Sequence, residues 1–199
     1  GSACDRSYIS GAFQRIGVRQ IFVEYSGYAN DNQTPSKELI LQDARNIQTF
    51  IDKKNIKNVA VVGESLGSAL ASYHSTISDK VYSVILVAPF DSIESVANQR
   101  YLKYYPKNIY TYDNYNNIEY LENYKKRLVI IHGGLDENIP IYHARKLFNE
   151  TKTEDKLFVE IPFSKHNELY VYFDTFRAIR AGVENNSLDE FRTININNE

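Results

Sequence analysis

The sequence contains no methionine and a single cysteine, its charges nearly cancel, and none of its apolar runs approaches the length of a membrane span. Each shortage removes a class of protein. One thiol, Cys4, cannot close an internal disulfide, so nothing demands an oxidising compartment and the cytoplasm is the default location. A formal net charge of -2 offers no basic field for nucleic acid. Crossing a bilayer as a helix takes about eighteen or more apolar residues, and the longest run, around "VILVAPF", reads instead as a buried strand ending in proline. Methionine is missing even at position 1, so the chain reads as starting after processing or truncation, with Gly1-Ser2 looking like a vector scar. No stretch reads as a signal peptide.

What is present suits one domain over 1–199, since 199 residues with 43% hydrophobic content can bury a real core. Ile9, Phe13 and Ile16 recur at helical spacing over 5–16, with Gly17 as a stop. Residues 18–25, "VRQIFVEY", read as a strand. Thr34 and Pro35 look like a helix start, followed by the apolar stripe Ile40, Ala44, Ile47 and Ile51. Further strands are predicted at 59–62 and from Val81, Arg127 and Lys156, with helices after Ser65, from about Ile141 and from about Asn167. Strands separated by helices predict a three-layer α/β/α sandwich around a mostly parallel sheet.

The stretch "VAVVGESLGSALASY" contains G-x-S-x-G around Ser65. Chance produces that pattern in roughly one chain in ten to twenty of this length, so its setting must decide. The apolar run before it suits a strand covered on both faces, and Leu66, Ala69, Leu70, Tyr73 and Ile77 after it recur at helical spacing. Ser65 then sits on a sharp strand-to-helix turn, with Gly63 and Gly67 where a Cβ would crowd the backbone.

Ligands in such sheets bind at the carboxyl ends of the strands. The strand "RLVIIH" runs into "GGLDENIP" with Asp136 and Glu137, and "KLFVEI" runs into "PFSKHNEL" with His166. Serine, carboxylate and histidine thus fall on loops at one edge in the order of a hydrolytic triad. Each has a plainer rival. His132 ends a strand and is expected to bond locally, His74 and His143 lie in helices, and Asp136 is preferred to Glu137 because the shorter side chain is held by its own turn. The histidines and Cys4 show no metal-ligand spacing, so no metal or cofactor is expected.

The motifs "GESLGS", "IIHGGLDENIP" and "KHNEL", with "EYSGYANDNQTPSKELILQD", resemble the α/β-hydrolase superfamily, most closely its compact branch of acyl-protein thioesterases and their bacterial relatives. The resemblance implies the α/β-hydrolase fold, with its amino-terminal strands apparently lacking here. It also implies a serine nucleophile at Ser65, a general base at His166 and an orienting carboxylate at Asp136. The expected activity is cleavage of an ester or thioester through an acyl-enzyme, with the Leu66 N–H receiving the oxyanion at the start of a helix. In relatives an "HG"-type loop supplies a second donor, here expected at Ser2 or Ala3. Tyr25 and Ser26, in "YSGY", and Tyr105 are candidate pocket residues.

Residues 90–126 read as an irregular, tyrosine-rich insertion, either a cap over the serine, which would favour small or extended acyl groups over a deeply enclosed lipid, or a helical connection to which the tyrosines give an amphipathic surface. A sheet of about five strands with one open edge is expected to associate with itself or a partner strand. The expected partner is otherwise an acyl-group or small-molecule substrate. Two other readings stay open: a serine peptidase of the prolyl oligopeptidase-like group, and a catalytically silent binding protein on the same fold.

Overall fold

A computed structural model describes residues 10, 17–28, 32–101, 114–184, 188 and 191 of the chain. Four strands form one parallel sheet in the order of the chain: β1 Val59–Glu64, β2 Val81–Val87, β3 Arg127–Gly133 and β4 Lys156–Ile161. The connections contain α1 Lys37–Lys53 before β1, then α2 Gly67–Ile77, α3 Ile93–Tyr101, α4 Asn117–Leu121, α5 Ile141–Glu150 and, after β4, α6 Phe173–Val183.

Side-chain alternation builds the three layers. Ile85, Val87, Val129 and Ile131 face one way and pack with Ala178 and Ile179 of α6. Val84, Leu86, Leu128 and Ile130 face the other and pack with Ala71 of α2, Leu121 of α4 and Ala144 and Leu147 of α5. Because β2 and β3 are covered on both faces, their sequences run apolar without alternation. Removing one of these side chains, as in Ile130→Ala, is expected to cost about 2–5 kcal/mol. A third cluster, with Ile40 and Leu41 of α1 against Ala69 and Leu70 of α2, caps the carboxyl edge beside Phe90, Tyr115 and Ile139.

Four expectations need correction. The run before Ser65 is not covered on both faces, since β1 is an edge strand of the described sheet and Val62 stands 47% exposed. Residues 18–25 are not a strand, so the described sheet has four strands rather than about five. They have no ladder partner among the described residues, and Val18, Ile21 and Phe22 stand 37%, 49% and 42% exposed; a strand exists by pairing, which pattern alone does not supply. The helix expected from Thr34 starts at Lys37, because Ser36, in extended backbone, accepts the Leu39 N–H on its side chain and so caps it. The last helix starts at Phe173 rather than near Asn167, the intervening chain being turns and a short 3-10 segment, Leu169–Val171. The helix expected over 5–16 lies outside the described residues apart from Ser10, which is helical.

Candidate active site

At the end of β1 the chain turns through Ser65 with φ +52°, the left-handed region that costs a non-glycine residue about 1–3 kcal/mol. Neighbours hold it there. The Ser65 N–H donates to Val87 O at 2.9 Å, and Ser65 O accepts from the Ser68 N–H at 2.9 Å. The flanking glycines permit the approach: a Cβ on Gly63 would lie 2.3 Å from Gly67 O, and one on Gly67 would lie 3.0 Å from Tyr25 Oη. The turn opens α2, whose first N–H groups have no intrahelical acceptors and carry the positive end of the helix dipole.

The loops after β3 and β4 are stitched to each other. Gly134 N–H donates to Ile161 O at 2.9 Å and Leu135 N–H to Ser164 O at 3.0 Å. Asp136 then folds on itself, its Oδ1 accepting from the N–H groups of Asn138 and Ile139 at 2.8 and 2.9 Å. Its Oδ2 lies 2.7 Å from His166 Nδ1, and His166 Nε2 lies 3.0 Å from Ser65 Oγ. With Nδ1–H donating to the carboxylate, the free lone pair on Nε2 faces the serine hydroxyl. Burial pushes the Asp136 carboxyl up, yet hydrogen bonds from His132, His166 and the Ile139 N–H outweigh it and hold the group well below the usual carboxylate range.

Glu137, the rival acid, is exposed, whereas Asp136 is buried. His74 bonds Gln48 at 2.9 Å, in the interface of α1 and α2. His132 does bond locally, to Ile139 O at 2.8 Å, but its Nε2 also lies 3.3 Å from Asp136 Oδ2, a second imidazole on the acid that sequence reasoning missed. The i, i+4 spacing of His132 and Asp136 was a signal, though in a turn rather than a helix. Also missed was a buried cluster after β2. Asp91 receives His143 Nδ1 at 2.7 Å, the Ser92 N–H at 2.7 Å and Lys146 Nζ at 3.0 Å, and His143 Nε2 meets Gln99 Oε1 at 3.0 Å. Burial again pushes the Asp91 carboxyl up, and these donors reverse the effect and hold it low.

A cavity of about 270 Å³ adjoins the serine turn, lined by Leu66, Tyr28, Ser36, Ile40, Ile93 and Tyr115 together with Pro35. The expected pocket residues Tyr25 and Ser26 stand outside that lining. Tyr25 packs behind Gly67 and edge-on to Tyr28, ring centroids 6.4 Å apart, and burial followed by the charges of Asp43 and Glu64 pushes its phenol up to about 12. Ser26 is tied to Asp43 through its N–H at 2.7 Å and its hydroxyl at 2.9 Å. Tyr105, Ser2 and Ala3 lie outside the described residues. Among the described residues no group of three or more His, Cys, Asp or Glu could hold a metal ion, and no helix is long and apolar enough to cross a membrane.

Known proteins resemble this chain in sequence and in fold. An uncharacterised protein of Mycobacterium tuberculosis is 27% identical over 174 residues, covering 84% of this chain and 61% of the relative. Human alpha/beta hydrolase domain-containing protein 17B is 27% identical over 187 residues, covering 86% of this chain and 60% of the relative. The chain therefore spans about three fifths of the length of these relatives. Among solved structures, the esterase domain of a Rhodothermus marinus protein superposes with a TM-score of 0.62 at 17% identity, covering 88% of this chain and 74% of that one. The family model of the prolyl oligopeptidase family matches residues 41–167, from α1 through His166. On that match, and with this fold, the chain belongs to the prolyl oligopeptidase family within the α/β-hydrolase superfamily.

Proposed function

We propose that the protein is a serine hydrolase that cleaves carboxylic esters or thioesters through an acyl-enzyme on Ser65. The observation that carries the proposal is the continuous chain from Ser65 Oγ to His166 Nε2 at 3.0 Å and from His166 Nδ1 to Asp136 Oδ2 at 2.7 Å. His166 takes the hydroxyl proton as Ser65 attacks the carbonyl, and Asp136 fixes the tautomer and steadies the imidazolium. The imidazolium returns the proton to the leaving alcohol or thiol. Water, deprotonated by the same imidazole, then releases the acid. Developing negative charge on the carbonyl oxygen meets the Leu66 N–H at the start of α2. Ser2 or Ala3 remains the proposed source of a second donor.

The family match favours a second reading, a serine peptidase. Binding a peptide by its amino terminus calls for a carboxylate near the serine, and no acidic residue is among the described residues of the cavity. That difference supports ester or thioester substrates over peptides. A fluorophosphonate probe and a substrate panel test the readings together. The proposal expects labelling at Ser65 and faster turnover of p-nitrophenyl esters and acyl thioesters than of aminoacyl amides. Faster amide cleavage would transfer the assignment to the peptidase, and an unlabelled, inactive protein to a binding role.

A further inference from the structure

The cavity beside Ser65 has a definite size, a definite lining and a definite relation to the reacting atoms. The loop before α1 supplies Tyr28, Pro35 and Ser36, α1 supplies Ile40, the serine turn supplies Leu66, the start of α3 supplies Ile93 and the chain before α4 supplies Tyr115. Ile40 and Tyr115, 2% and 4% exposed, close its inner end, while Tyr28, 37% exposed, stands at the rim. Leu66 belongs to both places, since its N–H opens α2 next to Ser65 and its side chain is cavity wall. A carbonyl held at that N–H places its acyl tail against the cavity.

The lining also states what kind of tail. No Asp, Glu, Lys, Arg or His is among its described residues. Lys37, one residue beyond Ser36, gives its Nζ to Asn114 O at 2.6 Å. The Ser36 hydroxyl oxygen is engaged in capping α1 through the Leu39 N–H at 3.3 Å. A charged tail would lose its water here, and the Lys37 ammonium, 5.9 Å from the centroid of the lining Tyr115 ring, is already bonded to Asn114 O, whereas apolar surface gains by entering.

We infer that this cavity is an acyl subsite selecting uncharged acyl groups of medium length, those that about 270 Å³ can hold. Octanoyl and phenylpropanoyl tails fill it. Acetyl leaves it empty, palmitoyl overruns it, and succinyl brings an unpaired charge. The inference rests on the acyl-enzyme reading at Ser65.

The test is kcat/KM for p-nitrophenyl acetate, butyrate, octanoate, phenylpropanoate and palmitate and for the succinate half-ester, using the full chain. Octanoate and phenylpropanoate should exceed acetate and succinate by about tenfold or more, since each buried methylene contributes a factor of about four before incomplete burial is counted. Ile93→Trp, which fills the cavity from a half-buried position, should lower the octanoate-to-acetate ratio at least about fivefold, roughly the worth of one or two methylenes. Ile93→Ala should move the optimum to longer chains, and it serves if the tryptophan variant does not fold. A flat profile, a palmitate optimum, or a ratio that neither variant moves overturns the inference while fluorophosphonate labelling of Ser65 still stands. Loss of that labelling in the unaltered protein is instead the failure of the hydrolase reading beneath it.

Discussion

Two carboxylates at the carboxyl edge of the sheet each meet an imidazole Nδ1 at the same distance: His166 Nδ1 to Asp136 Oδ2 and His143 Nδ1 to Asp91 Oδ1 are both 2.7 Å. Both carboxylates are buried, and both are held below their ordinary range by hydrogen bonds that overcome burial. They differ at the far nitrogen. His166 is 12% exposed and its Nε2 faces a serine hydroxyl on a strained turn. His143 is wholly buried, its Nε2 meets the Gln99 amide, and Lys146 already sits on Asp91. A paired imidazole thus acquires chemistry from its third neighbour and its access. Where the third neighbour is an amide and the access is closed, the same pair ties α3 and α5 to the end of β2.

The comparison breaks most sharply at the imidazoles. His166→Ala should lower ester kcat/KM by on the order of a thousandfold with the unfolding midpoint little changed, because members of a cooperating triad act as a unit. His143→Ala should do the reverse, shifting the thermal midpoint while leaving kcat within a few-fold, as paired thermal melts and rate measurements will show. At the carboxylates, Asp136→Asn should reduce kcat by on the order of a hundredfold or more by offering the wrong tautomer partner, and Glu137→Gln should have a mild effect. The opposite ranking would move the acid to Glu137.

Asp91→Asn should cost about 2–3 kcal/mol rather than the full cost of a buried pair, because Lys146 is half exposed and the amide keeps part of the bonding. That corresponds to a fall of about 4–12 °C in Tm for a domain of this size. The smallest effect separates charge from packing. Asp91 is depressed in the folded protein, so its contribution is present above its unfolded value near pH 4 and is lost as pH falls through the lower folded value. The gap in urea unfolding between the protein and its Asp91→Asn variant should therefore begin to narrow near pH 4 and close only as pH falls through the lower folded value. A gap that stays constant with pH would mean that Asp91 acts by shape alone.

The placement of Ser65, Asp136 and His166 was legible in the sequence because each lies in the stretch that follows a strand, and parallel strands deliver their following loops to one edge. The layers were legible because β2 and β3 are buried on both faces and their sequences show it. Residues 18–25 misled because β-branched and aromatic residues measure strand propensity, whereas a strand requires a ladder. The Asp91–His143 pair is 52 residues apart in sequence, with nothing local to announce it. Tyr28 rather than Tyr25 reaches the cavity because a turn, Tyr28 N–H to Tyr25 O at 3.0 Å, reverses the chain between them. One step of a loop decides which ring faces in, and periodicity does not extend into loops.

Under the proposed mechanism, His166 and Asp136 make Ser65 the acyl acceptor. The direct measurement is rapid quenching during turnover of p-nitrophenyl acetate, followed by proteolysis and mass analysis of the peptide bearing Ser65. The account predicts an acetyl group on Ser65 that forms with the burst of nitrophenol and decays with turnover, absent in Ser65→Ala. An acetyl group on any other residue during turnover, or undiminished turnover in Ser65→Ala, would contradict it.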